Sequence, residues 1–230
     1  MIWRLEAMTE SGVEGTVLGT LVMPYCSGMG NLIFAFVLGA KGGPGAEVVT
    51  NSLVNNVTNM TLLIGLPTIF WGMNLLPGAK AKKKKPDNKE NQINRLSLLL
   101  TLTAVLFFTG AVWALARKGR LDAGDGLVLV GLFLFWQCFH VFDVLKSNVR
   151  QNKSFSWMLP FDLAVLAIGI YALYRPMQVP PFFQTGIIIL MGAAVVHFLF
   201  VAIFGRLPRF MGWVLTAAYV VFLAKGLGKY

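Results

Sequence analysis

Long apolar stretches occupy most of this chain and leave few ways to fold it. They fall at roughly 13–40, 46–76, 96–116, 124–145, 157–174, 183–204 and 209–226, close to or above the roughly 17 to 25 residues that an α-helix needs to cross a bilayer. In hydrocarbon a segment must satisfy its own backbone N–H and C=O groups, which a helix does and a lipid-exposed loop does not. With 56% apolar and 13% charged residues and a mean hydropathy of +0.67, the chain falls in the membrane class. The expected fold is an all-α integral membrane protein of about seven transmembrane helices. Arg4 is followed by Glu6, Glu10 and Glu14, and no small-residue cleavage pattern ends the first span, so that span reads as an uncleaved membrane segment.

In a soluble protein a net charge of +10 would point to nucleic acid. Here its placement reports orientation, and no nucleic-acid partner is expected. With a cytoplasmic N-terminus, the basic residues from Lys80 to Lys89, with Arg95, Lys146, Arg150, Lys153, Arg206 and Arg209, fall inside. Arg117, Lys118 and Arg120 stand against that orientation. Short loops and no cleavable leader suit a bacterial inner membrane. The one long hydrophilic stretch, 78–95, carries Lys82, Lys83, Lys84 and Lys85. They are either a topology signal or a docking patch for anionic lipid, at about 1 kcal/mol per basic residue. The chain thus divides into a helix pair at 1–77, the basic loop 78–95, a two-helix unit at 96–146 and a three-helix second half at 147–230.

The sequence repeats itself. Gly119-Arg120-Leu121 followed by Gly126-Leu127-Val128-Leu129 matches Gly205-Arg206-Leu207 followed by Gly212-Trp213-Val214-Leu215 at the same spacing. Leu62 to Leu66 and Met73 to Pro77 match Leu166 to Ile170 and Met177 to Pro181. Residues 57–146 then recur in the second half, three spans later, so the copies cross the membrane in opposite directions. A partial inverted-topology repeat of this kind is common in secondary transporters.

Two segments set amides and small residues inside apolar spans: Cys26-Ser27-Gly28-Met29-Gly30-Asn31 and Thr50-Asn51-Ser52-Leu53-Val54-Asn55-Asn56. Unpartnered amides are costly in hydrocarbon, so such clusters mark packing faces, cavities or binding sites. With these and the run Leu62-Leu63-Ile64-Gly65-Leu66-Pro67 behind them, the chain resembles the cation/calcium exchanger superfamily, to which the sodium/calcium exchangers belong. The resemblance is to the α-repeat, with its Gly-Thr-Ser-x-Pro-Glu and Gly-Asn-x-x-Gly-Ser-Asn motifs, and implies cation antiport by alternating access. It also implies that each half of a site comes from one repeat. The acidic position of the first motif is Asn31 here, the second half lacks a counterpart of Cys26 to Asn31, and Phe155 stands where a second Asn51 would be.

Three accounts fit the cluster. Ser27, Asn31, Asn51, Asn55 and Thr58 could form a weak or monovalent cation site for sodium or calcium, completed by Asp162 or by a second copy. The same amides could serve helix–helix assembly, the chain being an accessory subunit of a larger membrane complex. Or Gly28, Gly30, Gly39 and Ala40 merely let helices approach closely. Calcium takes six to eight oxygens, carboxylates among them, which neutral amides do not supply. A homo-oligomer or another membrane subunit is the expected partner, beside the bilayer itself.

Asp162 follows Pro160 early in the fifth span and reads as a helix cap or as a residue facing a cavity. His140 and Asp143 share a helix face near Lys146 and read as an interfacial pair ahead of a proton relay. His197 is expected to bond a backbone carbonyl, and Glu47 to cap the second span. Trp71, Trp113, Trp157 and Trp213 stand near span ends as interfacial anchors. Cys26 and Cys138 read as small apolar residues, and Asn56 and Asn59, though in sequons, lie within a span. There is no phosphate-binding loop, nucleophile elbow, zinc spacing or dinucleotide fingerprint, so neither an enzyme nor a bound cofactor is expected.

Overall fold

The computed structural model describes residues 23–71, 73–74, 88–150 and 161–227. Among them eight helices run in order: α1 Met23–Lys41, α2 Gly45–Met60, α3 Leu62–Trp71, α4 Asn88–Ala116, α5 Ala123–Arg150, α6 Phe161–Tyr174, α7 Phe183–Ile203 and α8 Arg209–Leu227. Four two-residue strands interleave with them: β1 Met73–Asn74, β2 Arg120–Leu121, β3 Met177–Gln178 and β4 Arg206–Leu207. Gly45–Trp71, Leu99–Ala116 and Phe183–Ile203 are long and apolar enough to cross a membrane; Gly28–Lys41, Ala123–Cys138 and Leu163–Tyr174 are shorter apolar helices.

The second apolar stretch is not one helix to residue 76, as its composition led us to expect. It breaks at Thr61, whose hydroxyl donates to the Val57 carbonyl, and α3 ends at Trp71. Pro67 inside α3 has no N–H for the carbonyl four residues back, which weakens the helix there. At the other end Pro44 takes the N-cap position without a side-chain cap, and Glu47 lies in the first turn. Exposed Glu47 thus complements the helix dipole without the capping bond expected of it.

The twice-occurring motifs form the same local structure at both sites. Gly119 and Gly205 adopt φ of +79° and +64°, and their N–H groups bond the carbonyls of Ala116 and Phe200 as α4 and α7 end. Positive φ is why glycine stands there. Each Arg-Leu pair then forms a strand. Met73 pairs with Leu207 and Asn74 with Arg206; Met177 pairs with Leu121 and Gln178 with Arg120. The two ribbons thus have one register, Met against Leu and polar against Arg. They lie at opposite ends of the run Gly45–Trp71, since Gly45 abuts Met177 and β1 follows Trp71.

Helix crossings repeat too. A methyl group on Gly212 would meet the Gly65 carbonyl oxygen at 2.7 Å, and one on Gly65 the Gly212 oxygen at 3.0 Å, so α3 and α8 touch backbone to backbone. The corresponding glycines Gly126 and Gly169 do the same between α5 and α6, at 2.7 and 3.2 Å. Small residues permit such close crossings in membranes. Around them α1 lies on α6, and α2 packs on α6 and α7, with α4 also against α7. Val49, Leu53, Val57, Phe108, Ala167 and Leu190 form part of the shared core.

The head of α5 is a capping box. Asp122 accepts bonds from the N–H groups of Gly124 and Asp125 at 3.0 and 3.2 Å, and the Asp125 carboxylate accepts from the Asp122 N–H at 2.8 Å. Lys118 Nζ bridges both carboxylates at 2.8 and 2.7 Å. Its ammonium and the Asp125 N–H hold the Asp122 carboxyl down to about 2. Trp71, Trp113 and Trp213 are exposed, and the Arg117 guanidinium lies 5.3 Å from the Trp113 ring centroid, within cation–π reach.

Candidate cation site

A tight turn returns the chain from α1 to α2 and sets their polar segments side by side. Gly42 has a φ of +75°, and the Gly43 N–H bonds the Leu38 carbonyl at 2.9 Å, closing α1 on a left-handed glycine. The Tyr171 hydroxyl of α6 donates to the Gly43 carbonyl and ties the turn down. On α2, Asn51, Asn55 and Thr58 follow at intervals of four and three and share one face.

The structure joins Asn31 and Asn51: Asn51 Nδ2 donates to Asn31 Oδ1 at 2.8 Å. Asn51 is exposed and Asn31 half-buried; Asn31 Nδ2 is buried and has no partner among the described residues. Further along, half-buried Asn55 precedes Thr58, whose hydroxyl donates to the Tyr219 hydroxyl of α8 at 3.5 Å. Ser27 lies in α1 and Asp162 in the first turn of α6, but both side chains fall outside the described residues. So do Lys82, Lys83, Lys84 and Lys85, Phe155 and Trp157, and the side chains of Cys26, His140 and Asp143.

Two residues of the same segment carry more than sequence reasoning assigned them. Ser52 and Asn56 are 2% and 5% exposed and line a cavity of about 20 Å³ closed by apolar groups of α4, α6 and α7, among them Val112, Val165 and Ile187. Asn56 Nδ2 donates to the Ser52 carbonyl at 2.9 Å, while Ser52 Oγ is buried and unpartnered among the described residues. That volume holds one water. The signal was present in the sequence: Val48, Val49, Leu53, Val57 and Met60 mark the core face of α2 at helical spacing, and positions 52 and 56 fall inside that stripe.

His197 behaves as its isolation predicted, with Nδ1 2.6 Å from the Ala193 carbonyl, although its buried Nε2 lacks a partner among the described residues. No group of three His, Cys, Asp or Glu that could hold a metal occurs among the described residues. The described side chains of Asn31, Asn51, Asn55 and Thr58 offer amides and hydroxyls, while the Asp162 side chain falls outside the described residues. Such oxygens can replace part of the hydration of a monovalent cation. A divalent ion would go uncompensated in low dielectric without a carboxylate.

No curated protein matches the sequence. Solved structures do match the fold. One is a sodium-calcium exchanger soaked with zero Na+ and Ca2+, at a TM-score of 0.62 and 14% identity over 96% of this chain and 90% of that one. Another is the sodium/calcium exchanger from Methanococcus jannaschii, at 0.53 and 16% over 91% and 86%. At such identities the likeness is one of fold. Residues 1–142 of the 230 match the sequence profile of the sodium/calcium exchanger protein family, and with more than half of its length so matched the chain belongs to that family of helical integral membrane proteins.

Proposed function

We propose that this protein moves cations by alternating access, using the oxygens around α2 as neutral ligands. The observation that carries the reading is the burial of two polar side chains, Ser52 and Asn56, beside a water-sized cavity with largely apolar walls, one position along α2 from Asn51 and Asn55. The solved exchangers with this fold are named for sodium and calcium, and the amide and hydroxyl donors described on α1 and α2 favour the monovalent ion.

The architecture we infer is seven spans with an inverted repeat. Its support is the exchange of partners between the halves: Met73 with Leu207 and Met177 with Leu121, Gly65 with Gly212 and Gly169 with Gly126. A rotation that swaps the halves maps each pair onto the other. Alternating access then follows as rocking about a site near the repeat interface. The bacterial inner membrane and a cytoplasmic N-terminus complete the reading.

The second reading is an accessory subunit, in which the Asn31–Asn51 bond does no more than tie α1 to α2. Flux separates the two. Proteoliposomes holding the purified protein are expected to take up Na+ or Ca2+ down a counter-ion gradient, and the Asn31→Ala, Asn51→Ala double variant to lose that uptake. Uptake absent from the folded wild type would sink the transporter reading; uptake untouched in the double variant would remove these amides from the path.

A further inference from the structure

We infer that Tyr171, in the last turn of α6, and Arg175, just after it, are positioning residues for the candidate cation site: by fastening the α1–α2 turn they hold Asn31 opposite Asn51. The link to cation binding rests on the transport reading proposed above; the fastening itself does not.

The turn has little of its own to hold it. Gly39, Gly42, Gly43 and Gly45 stand there with Pro44 among them, and glycine brings wide backbone freedom and no side chain to pack. Its contacts come from α6. Buried Tyr171 donates its hydroxyl to the Gly43 carbonyl, and a methyl group on Gly45 would collide with the same ring. Four residues on, a methyl on Gly42 would meet Nη1 of Arg175 at 2.7 Å and Cζ at 3.0 Å, so the guanidinium lies against the turn where α1 ends. A cation there complements the carbonyl end of the helix dipole. Gly28 and Gly39 of α1 abut Leu163 and Tyr171, which seats α1 on α6 along its length.

What this seating controls is register. Asn31 lies ten residues before Lys41, where α1 ends, and Asn51 six after Gly45, where α2 begins. The two arms are unequal, about 15 Å and about 9 Å at 1.5 Å per residue, and the amides meet at 2.8 Å with the helices held at that offset. A slip of one turn, about 5.4 Å, would part them.

The fastening belongs to one half of the repeat. Leu62 to Leu66 align with Leu166 to Ile170, so Pro67 stands at the position of Tyr171 and Trp71 at that of Arg175. Proline has no hydroxyl to donate, and Trp71 is 74% exposed. The ribbons and the glycine crossings occur twice; among the described residues this contact occurs once, beside the hairpin that carries the amides.

Two readouts on the full chain in proteoliposomes test the inference. Tyr171→Phe and Arg175→Gln are each expected to raise the Na+ concentration for half-maximal uptake by about three- to tenfold, the factor one hydrogen bond carries, with maximal uptake per folded protein unchanged. Arg175→Lys, which keeps a cation at the turn, should recover part of the loss. In a background without Cys26 and Cys138, a short bifunctional thiol reagent is expected to join Asn31→Cys to Asn51→Cys faster than to Asn55→Cys, one turn on, and Tyr171→Phe to erase that preference. A preference that Tyr171→Phe leaves intact overturns the fastening. Lower thermal stability with an unchanged half-maximal concentration makes both residues merely structural and overturns the positioning role. A wild type without uptake removes the cation reading, and the cross-linking preference then decides the fastening alone.

Discussion

In the proposed reading, ion choice turns on Asn31. It stands at the acidic position of the motif it resembles and contributes an amide oxygen, already shared with Asn51 at 2.8 Å. Asn31→Glu is expected to raise Ca2+ uptake relative to Na+ in proteoliposomes, because a carboxylate supplies the charge that divalent binding needs; an unchanged ratio would place Asn31 outside the path. Ser52→Ala removes a buried hydroxyl that has no partner among the described residues. Its expected effect on thermal stability is within about 1 kcal/mol of zero, since no protein hydrogen bond is lost, while cation flux falls if the cavity serves transport. Asp122 gives the pH dependence. Its folded value of about 2 lies below the ordinary 3.8, so its stabilisation is complete above about 4 and disappears as pH falls through about 2. Amide exchange at the start of α5 is expected to show this loss in the wild type and not in Asp122→Asn. At this scale the sequence was legible in part: composition marked the segment around Asn51, but which of its neighbours turn inward was settled by the packing of α2 against α6 and α7.

At the scale of the helix, two kinds of glycine separate. Gly65 and Gly212 sit where backbones touch, and a methyl on either would meet a carbonyl oxygen at 3.0 or 2.7 Å. Gly65→Ala and Gly212→Ala are each expected to destabilise the α3–α8 crossing by about 1–3 kcal/mol, the usual range for overpacking. Gly30 has open space around it, and Gly30→Ala should leave monomer stability unchanged or slightly improved. Thermal unfolding in detergent compares them; equal losses at positions 30 and 65 would contradict the close crossing. The Gly-Arg-Leu repeat was visible as identical spacing, and the structure supplies its reason, a left-handed glycine ending one helix ahead of a two-residue strand. The break at Thr61 was not visible, because apolar residues continue on both sides of it.

For the whole molecule the repeat makes a symmetry prediction. Gly126→Ala should destabilise as Gly212→Ala does, and Gly169→Ala as Gly65→Ala, since each pair occupies equivalent crossings. The ribbons at opposite ends of Gly45–Trp71 also place Arg120 and Arg206 on opposite faces. In a background without Cys26 and Cys138, Arg120→Cys and Arg206→Cys should react with an impermeant thiol reagent from opposite sides of the membrane. Labelling of both from one side would refute the inferred crossing pattern. The sequence by itself determined the membrane class and the rough positions of the apolar helices, though not the break at Thr61, because bilayer thickness and backbone hydrogen bonding read length and apolarity directly; its motifs pointed to the family. Only the tertiary structure decided which amide meets which, that Ser52 and Asn56 line a cavity, and that Asn51 is left open at the surface. Those depend on how helices rotate about their axes as they pack, and an almost uniformly apolar helix carries little record of its own rotation.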